Sequence, residues 1–227
     1  MRKTSIAVLS AAILALTAAT GRAQDEKRIH VNLGGGPTFN LGNIGDHFST
    51  GWGPAVGVTY DVNPRIGVQA EYAYRYFRLN DSALFPGATA FGANHQTHQI
   101  AIDVVANLTD PSSHIRGYVI AGPGMYYRKV DITQYVGNGI ICDPYWYVCG
   151  SYPVEAVLGS RGGWDFGINI GGGVAFKFED NAEFFIESRY HYVWGPEFPS
   201  TTLPGGTVLP GGKTNGQYWP LTFGIRF

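Results

Sequence analysis

Long hydrophobic runs are nearly missing from this 227-residue chain. Past Thr20 no stretch approaches the ~20 apolar residues that a spanning helix needs, which excludes a helical membrane protein. Charge is also scarce: 15% of residues are charged, against about 25% in ordinary soluble domains. The net charge of -1 leaves no basic excess for nucleic acid, and no nucleic-acid partner is expected. Cysteine is limited to Cys142 and Cys149, leaving room for a single disulfide. His95 and His98 stand close together without a Cys or acidic cluster, so no metal and no cofactor is expected.

What is present is scattered hydrophobicity, 44% of residues, with 32 glycines and 14 tyrosines. Alternating strands with small inward residues and aromatic ends consume both types. The first residues, Met1-Arg2-Lys3, are basic, Ile6 to Thr20 is apolar, and Gly21-Arg22-Ala23 offers small residues for a signal peptidase. The expected division is a signal peptide over 1–23 and one domain over 24–227. Export places Cys142 and Cys149 in an oxidising compartment, where a disulfide is the default reading.

Period-two alternation predicts eight strands, near 28–39, 52–62, 66–78, 97–108, 115–128, 164–178, 183–194 and 217–227. In the last, Trp219, Leu221, Phe223, Ile225 and Phe227 point one way while Tyr218, Thr222, Gly224 and Arg226 point the other. Tyr118-Val119-Ile120-Ala121 fits either register, and the facing of strand five stays open at this point. Tight connections at Asn63-Pro64-Arg65, Thr109 to His114 and Glu179 to Ala182 alternate with long ones. Short turns on one side and long loops on the other are the pattern of an outer-membrane barrel, with both termini in the periplasm. The fold expected is all-β, an eight-stranded antiparallel up-and-down transmembrane β-barrel. Trp52, Trp164, Trp194 and Trp219 all fall at the long-loop ends of their strands, as an aromatic girdle requires.

With outward positions assigned, the inner face collects Glu71, Arg75, Asp103, Asp165, Lys177, Glu183, Glu187, Arg189 and Arg226. An eight-stranded barrel is only wide enough for side chains to fill, so these groups are expected to form an interior ion-pair network. The glycine clusters, such as Gly171-Gly172-Gly173, begin no recognisable helix and read as bends or room for large neighbours. Gly212-Lys213-Thr214 resembles the end of a phosphate-binding loop, but Thr207 stands where that loop needs glycine. The longest connection, about Lys129 to Gly163, reads as a hairpin with a tip stapled by Cys142 and Cys149 around Tyr145, Trp146 and Tyr147. That tip is a candidate contact surface for an extracellular ligand.

The signal peptide, the eight alternating strands and the terminal strand ending in Phe227 together resemble small outer-membrane barrels of the OmpA/OmpX type, including the adhesive opacity-type proteins. The resemblance implies outer-membrane lipid and lipopolysaccharide as surroundings. It also implies recognition of Phe227 by the barrel-assembly machinery, with periplasmic chaperones on the way. No sequence follows Phe227, so the peptidoglycan-binding domain of longer members is not expected. The leading expectation is a non-enzymatic integral outer-membrane protein whose loops serve structural, adhesive or resistance roles. A narrow pore is the second. A lipid A-modifying enzyme is the third, although His191 lacks a Ser two residues away, the nearest being Ser188 at three. A periplasmic lipocalin-like binder is also compatible with the strand count.

Overall fold

The computed structural model describes residues 28–42, 45, 48–78, 91–110, 113–143, 148–179, 182–198, 201–202, 208–209 and 212–227. At 91–92, 135, 139–143, 148–153, 155 and in the strand pieces between 197 and 213, only the backbone is described. The proposed signal peptide, the Tyr145-Trp146-Tyr147 tip and the cysteine side chains lie outside the described residues.

Eight strands close into a ring: β1 (Ile29–Leu41), β2 (Gly51–Asn63), β3 (Ile66–Arg78), β4 (Phe91–Asn107), β5 (Ile115–Asp143), β6 (Val148–Glu179), β7 (Ala182–Val193) and β8 (Gly216–Arg226). Each pairs antiparallel with its sequence neighbours, and β8 pairs with both β7 and β1. Closure leaves no open edge along the ring, which is how an all-strand structure satisfies its backbone in lipid. At the seam, Val31 and Phe227 exchange two backbone hydrogen bonds of 3.0 Å. Between β7 and β8, Glu197–Phe198 pairs with Gly212–Lys213 and Thr201–Thr202 with Val208–Leu209.

Alternation explains the strands. In β2, Trp52, Val56, Val58 and Tyr60 are exposed on the outer wall, while Gly53, Gly57 and Thr59 are buried within. The turn after β2 is set by Asn63, whose Oδ1 accepts from the Arg65 and Ile66 amides at 2.9 and 2.8 Å. Strand five resolves in one register: Tyr118 and Ile120 point in, Val119 and Ala121 out.

The main departure from the sequence reading is length. β4 begins at Phe91, and β5 and β6 continue into a ribbon that reaches Asp143 and Val148. From Arg128 to Asp143 the ribbon runs roughly 50 Å at ~3.4 Å per residue. β4 flanks it as far as Gln134; above that it is two-stranded. Register shifts at Ile132/Thr133 and Tyr135/Gly137 interrupt the alternation, and Gly137, at φ 134°, takes a conformation that L side chains rarely adopt. Those bulges hid the extension, because a one-residue shift flips the face of every residue beyond it.

Candidate functional site: the filled lumen and the long-loop rim

The lumen is built in tiers. Nearest the short turns, Asn32 donates to Thr59 Oγ1 at 2.8 Å and to Gln69 Oε1 at 2.9 Å, while its own Oδ1 accepts from Arg226 Nε at 2.8 Å. The Arg226 guanidinium lies over the rings of Tyr118 and Phe185, 5.2 and 5.7 Å from their centroids. Arg116 pairs with Glu183. Tyr118 and Phe185 join Val105, Ile120 and Ala175 in an apolar cluster.

Above that cluster sits the charge centre. Arg189 donates through Nη2 to Glu71 (2.6 Å), through Nη1 to Asp103 (2.9 Å) and through Nε to Glu187 (2.5 Å). Asn169 Nδ2 adds a bond to Asp103 Oδ1 at 2.7 Å, and the Tyr118 hydroxyl one to Glu187 Oε2 at 3.0 Å. Arg189 is 3% exposed and Asp103 0%, so the ions meet without water as the main partner. The guanidinium fork spends all three of its nitrogens on carboxylates, the arrangement that suits arginine over lysine.

A second apolar cluster, Phe77, Tyr126, Val193 and Tyr218 with Phe48 packed against it, covers the centre from the long-loop side. Here Tyr126 Oη and His191 Nδ1 are 2.8 Å apart. At the mouth, a cavity of about 340 Å³ is lined by Phe48, His95, Arg128, Arg161, Asp165 and Pro196 among others. Among these lining residues, Arg128 donates to Asp165 Oδ2 at 2.7 Å and to the Thr214 carbonyl at 2.9 Å.

The nine charges predicted for the interior therefore divide, with Glu183 paired to Arg116 toward the short turns. Glu71, Asp103, Glu187 and Arg189 form one cluster, with Arg75 buried on the same inner face of β3 as Glu71. Asp165 and Arg226 lie in the lumen but in separate tiers, with Arg128 and Asn32. Lys177 joins none of these pairs: it stands exposed beside the register shift at the end of β6. Solvent reaches that position, so no desolvation penalty forces a partner on it. The residues the sequence did not single out are Arg116 and Arg128, on the strand whose facing was ambiguous, and the uncharged Asn32, Gln69 and Asn169. Their signal was inward parity with a strongly polar side chain.

Trp52, Trp164, Trp194 and Trp219 are all exposed on the outer wall near the long-loop ends. Trp194 stacks on Phe166 with centroids 5.6 Å apart, and Trp164 lies 5.3 Å from Tyr127. His95 points inward and is buried, while His98 faces out and meets the Tyr72 hydroxyl at 2.8 Å, so no single ion reaches both. Among the described residues no group of three or more His, Cys, Asp or Glu is placed to hold a metal.

The model of the outer membrane protein beta-barrel domain family matches residues 7–227. The chain belongs to that family. Among solved structures, a major outer membrane protein from Thermus thermophilus is 13% identical over 88% of this chain and 98% of its own, with a TM-score of 0.53. Ail, the attachment invasion locus protein of Yersinia pestis, is 13% identical over 88% and 97%, with a TM-score of 0.42. The outer membrane protease OmpT from Escherichia coli is 10% identical over 92% and 99%, with a TM-score of 0.40. No curated protein matches the chain. The Thermus structure speaks for the barrel fold alone. As an outer-membrane barrel, the protein meets lipid with its exposed apolar wall, and its environment is outer-membrane lipid and lipopolysaccharide.

Proposed function

We propose that this outer-membrane barrel is a non-enzymatic stand for its long-loop end, serving a structural, adhesive or resistance role at the cell surface. In this reading residues 1–23 direct export, the mature chain begins at Gln24, both termini lie in the periplasm, and Phe227 is read by the assembly machinery. The observation that carries it is the contrast between a blocked lumen and a long projecting ribbon. Two apolar clusters enclose the Arg189 centre, which opposes passage of solutes, while β5 and β6 continue far past the tryptophans. A surface so extended costs ordering entropy and is consistent with a contact role.

The ribbon also bears on the cysteines. Cys142 and Cys149 are paired Cα partners across β5 and β6, and paired positions in an antiparallel ladder stand about 4.5–5.5 Å apart, within disulfide range. A disulfide there would staple the tip.

Two measurements test the reading together. Cell fractionation should find the protein in the outer membrane, with protease added to intact cells cutting the ribbon but not the barrel. Planar bilayers containing the purified protein should show no unitary current steps. Steady stepwise conductance would favour the pore instead, and an altered acyl pattern of lipid A in cells carrying the protein would favour an enzyme.

A further inference from the structure

The cavity at the long-loop mouth is walled by β4, β5 and β6 and by the connections before β2 and between β7 and β8. Those segments are tied to one another. Arg128 of β5 bonds both Asp165 of β6 and the Thr214 carbonyl ahead of β8, and the Thr214 hydroxyl donates to the Pro196 carbonyl at 3.2 Å. On β4, the His95 ring stands edge-on to Phe48 and Phe77, with centroids 5.3 and 5.4 Å away, and its Nε2 lies 2.9 Å from Thr97 Oγ1. A wall fixed at so many points is formed before any ligand enters, which lowers the cost of binding one.

The lining divides by chemistry. Phe48, Val130 and Pro196 are apolar, whereas Arg128 and Arg161 set two guanidiniums against the single carboxylate of Asp165. A guanidinium carries five N–H donors, and the bonds from Arg128 to Asp165 and Thr214 use two of them, so the pair keeps donors for an anion. Gly163 also lines the cavity, on the same strand parity as Arg161 and Asp165. Packing does not demand glycine there: an added Cβ would meet no atom within 4 Å, whereas at Gly53 it would fall 1.7 Å from a carbonyl oxygen. Glycine at 163 therefore leaves room in the cavity rather than relieving a clash.

We propose that this cavity binds a small aromatic carboxylate, its charge held by Arg128 and Arg161 and its ring set against Phe48, Val130 and Pro196. One excess positive charge in the lining matches one negative charge, while a phosphate dianion would set its second charge against Asp165 without a partner. A planar carboxylate also fits the guanidinium fork, and a lining with few polar groups suits a hydrocarbon ring better than a sugar. The volume of about 340 Å³ lies at the small end of the ~300–1,000 Å³ usual for such sites, room for a ligand of a single ring. Phe48 packs as well against the apolar cluster of Phe77, Tyr126, Val193 and Tyr218, so a bound ligand abuts that cluster and is captured rather than passed.

The test uses the full-length barrel refolded into lipid nanodiscs and titrated with benzoate by isothermal calorimetry, with the heat from empty nanodiscs subtracted. Saturable binding at a single site is the expected result, and it does not depend on where the barrel lies in the cell. Benzamide, the same ring without the charge, should bind about tenfold more weakly or worse, the loss expected of a charge-assisted contact. That arm needs no variant to fold. Arg161→Gln should lose a similar factor for benzoate. Gly163→Phe, whose ring would occupy the cavity, should abolish binding while its urea midpoint stays that of the unsubstituted protein. Absence of saturable heat with benzoate, equal binding of benzamide, or undiminished binding by either variant would overturn the assignment.

Discussion

Replacing Arg189 by alanine removes the one residue that touches Glu71, Asp103 and Glu187 at once. Arg75 is the remaining buried cation on that inner face, so three carboxylates are left with one arginine among them. Removing one partner of a buried pair costs about 3–5 kcal/mol, because the other charge stays desolvated without compensation. That is a large part of the ~5–15 kcal/mol by which folded proteins commonly exceed their unfolded states. The assay is urea unfolding in lipid vesicles, read by tryptophan fluorescence and by the gel mobility of heated against unheated samples. Arg189→Ala should shift the midpoint strongly. Arg189→Leu combined with Asp103→Asn and Glu187→Gln, which leaves Glu71 opposite Arg75, should recover much of the loss, since the remaining charges balance. An unchanged midpoint in Arg189→Ala would refute a dry, paired centre. A triple variant no better than the single one would show that packing, and not charge, is at stake.

Three further perturbations probe other parts of the molecule. A Cβ on Gly53 would fall 1.7 Å from the Tyr74 carbonyl oxygen, so Gly53→Ala should force the β2–β3 pairing apart and cost about 1–3 kcal/mol in the same unfolding assay. Cys142→Ser should loosen the ribbon tip by about 2.5 kcal/mol if the disulfide forms, seen as faster proteolysis of the ribbon with an unchanged barrel midpoint. Reductant should then accelerate cleavage of the unsubstituted protein alone. Phe227→Ala keeps both backbone bonds to Val31, so refolding into detergent should proceed normally while the amount assembled in cells falls. Equal loss in both settings would make Phe227 a packing residue rather than a recognition signal.

Strand number, turn positions and the outward faces were legible because lipid on one side and a narrow lumen on the other enforce a strict period of two. Trp52, Val56, Val58 and Tyr60 show that constraint at its clearest. It weakens wherever lipid no longer touches the chain. Above the rim, Ile132, Val136, Val157 and Leu158 are exposed around two register shifts, and their spacing reads as loop because no membrane imposes a face on them. Inside the lumen, parity identified which charges face inward but not which of them meet. Arg189 reaches Glu71 across 118 positions of sequence, and such partnerships depend on strand tilt and height, which alternation does not encode. Lys177 shares that parity yet sits past the end of the enclosed space.

The bond from Arg226 to Asn32 spans 194 positions, and it sets the order in which this barrel can come into being. Every other seam joins strands that follow one another along the chain, so the first seven can pair as they arrive. β1, by contrast, must keep one edge vacant until the last strand has been delivered. Bringing those ends together costs roughly 2 kcal/mol more than closing a ~20-residue hairpin, and meanwhile the vacant edge can pair with any other strand nearby. A carrier that shields β1 during transit, and a catalyst that presents β8 to it, would therefore act on the same seam from opposite ends of the sequence.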